Sequence, residues 1–265
     1  MPQSFRVRWK KAFKHSRISP GPEGWAGLIH VENADDLTAL SGQADLAVCD
    51  DTTATLSLDV PEEEPSRMLD SPSMEICKFN CIVLSKMLAE TESLCEAGIR
   101  KGDRIVDVWN RRFRSLARSS RHITIVDRYA LTDGAGLAGF ERFAKELDGS
   151  GRNAILSVYA AIAEDADEDS ASNAIAHLRP SLSRGGIQEI QLYLIHDRQF
   201  RRVHDRYVRF ERSVCELGEG ISVLGSRDGK VFRDCSFNFK SVLPEHRDKE
   251  SFLKQVCTVG SPYLL

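Results

Sequence analysis

The chain has no long hydrophobic run. No apolar stretch approaches the roughly 18 residues of a membrane-spanning helix, so a helical membrane protein is not the reading. The basic N-terminal stretch MPQSFRVRWKKAFKHSR has no apolar centre of the secretory type, and the expectation is an intracellular, cytoplasmic protein. A disulfide framework is missing as well. The seven cysteines are odd in number and unevenly spaced, and they read as reduced, mostly buried thiols. Cys77 and Cys81 would share one helix face, yet no CxxC or neighbouring Cys/His pair completes a zinc site. Neither a metal nor a cofactor is expected. An excess of one charge is also lacking: 36 basic against 39 acidic residues leave a net −3, which excludes a chain-wide nucleic-acid polycation.

The 265 residues suffice for one large domain or two small ones with a real core. Apolar content of 42% and charged content of 28% are those of an ordinary globular chain. Charge is nevertheless concentrated locally. Arg198, Arg201, Arg202, Arg206, Arg209 and Arg212 crowd into one short stretch.

AGLIHV, ADLAVCDD and ATLSLDV near the start read as short strands. PEEEPSRMLDSPS, residues 61–73, is rich in proline and acid and reads as a linker. It divides a strand-containing N-terminal region, 1–72, from a domain at 73–265. MEICKFNCIVLSKMLAETESLCEAG has the apolar spacing of an amphipathic helix ending near Gly98, and RIVDVWNRRFRSLARS that of a second. HITIVDRYAL is a strand, GLAGFERFAKEL a helix and NAILSVYAA a strand. The acidic EDADEDS reads as a loop before the helix SASNAIAHLRPSL, which Pro180 should shorten. IQEIQLYLI is a strand. VHDRYVRFE, SVCELG, GISVLG and KVFRDCSFNFKSVL then read as consecutive strands, with SRDG as a turn and a last helix from Glu245 to Val256. The fold class is therefore α/β, a mixed β-sheet flanked by helices.

His-Asp-Arg occurs twice, at 196–198 and 204–206. In a strand VHDRYVRFE, His204, Arg206, Val208 and Phe210 share one face. An imidazole beside a guanidinium suits a phosphate, because arginine offers a planar fork of donors and histidine donates, accepts or attacks. The alternative is a solvated polar strand. The first copy lies in a basic loop whose Arg198 and Arg202 form a rim that attracts a phosphate-bearing ligand, or merely a polar turn. Asp127, ending an apolar strand, either pairs with Arg206 or His204 or serves as a cap or turn residue.

The segment His204-x-Arg206-x4-Glu211-x6-Gly218-Glu219-Gly220-Ile221 resembles the phospholipase D superfamily pattern His-x-Lys-x4-Asp-x6-Gly-Ser-x-Asn. The spacing holds, with Arg for Lys, Glu for Asp, and Glu219 and Ile221 for the Ser and Asn. In order and spacing, ITIVDRYAL, HDRYVRF and LGEGISVLG resemble more closely the phospholipase D-like domain that follows MIT domains in an ESCRT-associated family. Arg128 stands there in place of a proline. The resemblance covers roughly residues 76–243; residues 1–72 do not resemble an MIT domain.

It implies a phospholipase D-like fold with a degenerate single motif. The site would comprise His204, Arg206, Arg198, Arg202, Asp127 and Glu211. It would bind a phosphate-containing ligand (a phospholipid headgroup or nucleic acid) or a protein partner without catalysis, within a homodimer or a multi-component system. Residues 1–72 are a candidate surface for a protein partner. The rival readings are an active, metal-independent dimeric phosphodiesterase or nuclease with His204 as nucleophile, and a purely structural interaction module.

Overall fold

A computed structural model describes residues 32–40, 44–70, 74–131, 134–149, 153–162, 182, 185–203, 205–258 and 262–264. The chain divides into two compact units, Met1–Leu94 and Cys95–Leu265.

In the first unit a 3-10 helix, Ala34–Leu40, leads to strand β1 (Leu46–Cys49) and helix α1 (Asp51–Leu56). Strands β2 (Ser66–Leu69) and β3 (Met74–Lys78) follow. A 3-10 segment, Phe79–Leu84, then joins helix α2 (Lys86–Glu96), which crosses the division between the units. Strand β3 is central, parallel to β1 and antiparallel to β2. Met74 and Ile76 pack with Leu37, Ala54, Leu58 and Leu69. Glu75, on the alternate face, is fully buried. Its Oε1 accepts from the Ser66 hydroxyl and the Lys86 amide, and its Oε2 from the Ser85 hydroxyl and the Met87 amide. One strand carboxylate thus satisfies orphan donors in the first turn of α2.

Three expectations fail in this unit. MEICK is a strand, because its place between β1 and β2 gives it ladder partners on both sides, which outweighs the helical spacing. ATLSLDV does not form a strand; Asp50 caps α1 by accepting from the Thr53 amide at 3.0 Å and the Thr53 hydroxyl at 2.6 Å. The stretch 61–73 contains β2, so it is not simply a linker. The division accordingly falls after Leu94 instead of at 72, since β3 completes the first sheet. AGLIHV, EDADEDS and all but Leu182 of SASNAIAHLRPSL lie outside the described residues.

The second unit opens with a helical rod, α3, formed by Ile105–Val108, the π turn Trp109–Phe113, and Arg114–Arg118. Strand β4 (His122–Val126), helix α4 (Gly134–Asp148), strand β5 (Ala154–Ile162) and strand β6 (Ile187–His196) follow. Next come the single turn α5 (Asp197–Phe200) and strands β7 (Tyr207–Phe210) and β8 (Ser213–Leu217). A 3-10 segment, Gly220–Leu224, precedes β9 (Phe237–Ser241), helix α6 (Pro244–Gln255) and the short β10 (Tyr263–Leu264). The sheet order is β10-β6-β5-β4-β7-β8-β9. β4, β5 and β6 are parallel, and β7, β8, β9 and β10 pair antiparallel. This is the expected mixed α/β architecture. Among the described residues no helix is long and apolar enough to cross a membrane.

Both faces of the sheet are covered. On one, Trp109, Phe113, Phe140, Phe143, Phe210 and Phe237 are buried together, with the Trp109 and Phe143 rings edge-on at 5.2 Å. On the other, Val126, Tyr159, Tyr193, Tyr207 and Leu253 are buried. Burial on both faces explains the nearly unbroken apolar runs of β4 and β5. The expected strand GISVLG is the 3-10 segment Gly220–Leu224, because Gly220 turns the chain at φ +65° and its Cα abuts the Asp127 carboxylate.

Candidate phosphate-binding edge

The carboxyl ends of β4, β5 and β6 lie at one edge of the sheet, where β7 begins and β8 ends. β4 is flanked by β5 on one side and by β7, which follows β6 in sequence, on the other. In layered α/β sheets such a change of direction opens a crevice outside the strand ends, where ligands bind.

Asp127 closes β4 there and is buried. Its Oδ1 accepts from the Tyr129 amide at 2.9 Å and its Oδ2 from the Ile221 amide at 2.7 Å. The pairing with His204 that the sequence offered lies outside the described residues, and Asp127 has the turn role that was its alternative. It also ties the β4 loop to the 3-10 segment after β8. The Arg128 carbonyl accepts from the Ala161 amide, which holds the same loop to β5.

Arg128 extends to Asp197, the first residue of α5, through two hydrogen bonds. Asp197 also accepts from Arg201. The hydrogen bonds of Arg128, and then those of Arg201, hold the Asp197 carboxyl below the usual range, and Asp197 in turn raises Arg128. The other carboxylates of this edge are likewise matched, Glu219 by Arg233 at 3.1 Å and Asp205 by Lys249.

Arg206, Arg198 and Arg202 have no carboxylate partner among the described residues. Arg198 and Arg202 are exposed on and just after α5. Arg206 is half-buried immediately before β7, and its carbonyl accepts from the Leu217 amide. Its guanidinium carbon lies 5.8 Å from the centre of the Tyr129 ring, and that of Arg128 lies 5.1 Å from the same ring. Cys235, beside Arg206, is buried; burial raises its thiol pKa against the opposing Glu219 amide and the Arg206 charge.

The structure places Asp127, Arg206, Arg198 and Arg202 toward one end of the sheet, after β4, before β7 and after β6. It does not bring Glu211 there. Glu211 turns the β7–β8 hairpin at φ +48°, donates its amide to the His122 carbonyl and accepts from the Arg121 amide. Four residues, 207–210, lie between it and Arg206, a span on the order of 16 Å at the usual strand rise, so the motif spacing does not mark a common site. His204 lies outside the described residues. The expected alternation along VHDRYVRFE holds over 207–210: Val208 and Phe210 enter one core, and Tyr207 the other. Arg206 precedes the strand.

The Ser236 hydroxyl lies over Gly218. Asn238 lies opposite Glu216 in the ladder. Sequence reasoning missed Tyr129 and the Arg128–Asp197 pair. The available signal was a polar and aromatic triplet, Asp127-Arg128-Tyr129, directly after an apolar strand. Among the described residues no cluster of His, Cys, Asp and Glu has a metal-binding arrangement. No protein-family model matches this chain, and no curated protein matches it.

Proposed function

We propose that the second unit is a phospholipase D-like module that binds a phosphate-bearing ligand at this edge without cleaving it. The observation that carries the reading is Arg206, a half-buried guanidinium without a carboxylate partner among the described residues, at the end of the sheet where β4 finishes and β7 begins. Arginine in such a place offers a phosphate two parallel hydrogen bonds. Arg198 and Arg202 add long-range attraction. The resemblance to the phospholipase D-like domain supports the same reading. Two of the three segments that carry the resemblance, around Asp127 and around Gly220, are neighbours here through the Asp127–Ile221 hydrogen bond.

The test is calorimetric titration with inorganic pyrophosphate. The expected result is binding that weakens with salt and is lost in Arg206→Ala. Arg212→Ala, at the opposite end of β7, should leave it unchanged. Binding insensitive to Arg206 would overturn the proposal. Metal-free cleavage of an oligonucleotide that disappears in His204→Ala would replace it with the phosphodiesterase reading.

A further inference from the structure

We propose that the ligand of this edge is single-stranded nucleic acid, with Tyr129 as the platform on which a base stacks and Arg206 as the grip on an adjoining phosphate. This rests on the phosphate-binding reading above and narrows it to one class of ligand.

Tyr129 follows a strand end, and 40% of its surface is in solvent although two guanidinium groups lie over it. Its backbone is held from below. The buried Asp127 carboxylate takes its amide, and the Arg128 carbonyl is bonded to Ala161. The ring is thus presented by a fixed loop, and little ordering remains for the ligand to impose. Of the large apolar side chains exposed in the second unit among the described residues, Tyr129 is the aromatic one; the others are Val106 and Leu243.

An aromatic face beside an arginine without a carboxylate partner among the described residues, Arg206, is the combination by which proteins hold single strands: bases stack on the ring while cations track the backbone. A duplex keeps its base faces stacked and offers the ring nothing. An anionic bilayer is met differently, by spread cations together with inserting apolar side chains. At this edge the apolar element is a single exposed ring with guanidinium groups beside it.

The experiment is fluorescence anisotropy of the full chain. The probes are a labelled oligothymidylate of about 12 nucleotides, within the site sizes of single-strand binders, and a duplex of equal length. Pyrophosphate and phosphatidylserine vesicles serve as competitors. The expected result is tighter binding of the single strand. Tyr129→Phe keeps the affinity. Tyr129→Leu, which keeps apolar bulk, lowers it by about 5- to 100-fold without changing its salt dependence. Arg206→Ala weakens binding and flattens the slope of log affinity against log salt by about 0.7, and Arg206→Lys retains that slope. Circular dichroism melts establish that each variant is folded. If pyrophosphate or vesicles bind through Arg206 with no preference for the single strand and no effect of Tyr129→Leu, the nucleic-acid inference fails and the phosphate reading stands. If no probe depends on Arg206, both fail.

Discussion

Arg128 and Asp197 are locked together at the carboxyl edge of the sheet, joining the loop after β4 to the turn after β6. On the proposed phosphate-binding reading, the pair consumes a cation that would otherwise face the ligand. Asp197→Asn removes the negative charge and releases Arg128 and Arg201 into the rim. The expected outcome is faster and tighter association with a polyanion and a steeper dependence on ionic strength. Stopped-flow association at several salt concentrations measures it. Slower association in the Asp197→Asn variant would show that Asp197 is needed to orient Arg128.

Glu75 is a fully buried carboxylate with four donors. Burial acts to raise its pKa. The bonds from Ser66, Ser85, Met87 and Lys86 together overcome this, and the carboxyl lies below the usual glutamate range. Because the folded value is the lower one, the contribution to stability is complete above the unfolded value of about 4.3 and is lost as pH falls through the folded value. Glu75→Gln places an NH2 group against one of the two amide donors, Lys86 or Met87. The expected cost at neutral pH is about 1–3 kcal/mol. Hydrogen exchange of the first turn of α2 should then lose its acid dependence below about pH 4.

Gly139 lies on α4 where the helix meets the Gly220–Leu224 segment. A β-carbon there would run into the Ile221 carbonyl. On propensity alone, Gly139→Ala should stabilise the helix by about 1 kcal/mol. The contact predicts the opposite sign, a loss of about 1–3 kcal/mol from overpacking. Thermal or urea denaturation decides between them.

Arg209 and Glu250 form a largely buried pair with two bonds of 2.6 Å, and Arg209 also donates to Thr124 at 2.8 Å. Burial alone would lower the Arg209 pKa, but the Glu250 hydrogen bonds and charge raise it. Glu250→Ala leaves a buried guanidinium unpaired, at an expected cost of about 3–5 kcal/mol. Replacing both, as Arg209→Met with Glu250→Leu, should cost much less, since apolar packing substitutes for the pair. Denaturant titrations of the single and double variants test this. Equal losses in both would mean that the pair itself stabilises the sheet.

From the sequence by itself came the α/β class, the strands β4, β5, β6 and β8, the helices α3, α4 and α6, and a cluster of basic residues. These follow from side-chain periodicity and from apolar runs, which are local properties. The tertiary structure decided what local pattern leaves open. MEICK carries helical spacing and became a strand because β1 and β2 offered it hydrogen-bond partners on both sides. GISVLG is apolar and became a 3-10 segment because Asp127, 94 residues earlier, takes the Ile221 amide. Arg206 and Glu211 share a motif spacing, but the strand between them carries them to opposite ends of the sheet. Which arginines remain without a carboxylate partner was likewise illegible in one dimension. Arg128 and Arg201 are matched by Asp197, and Arg233 by Glu219, through contacts that only the packed sheet brings about.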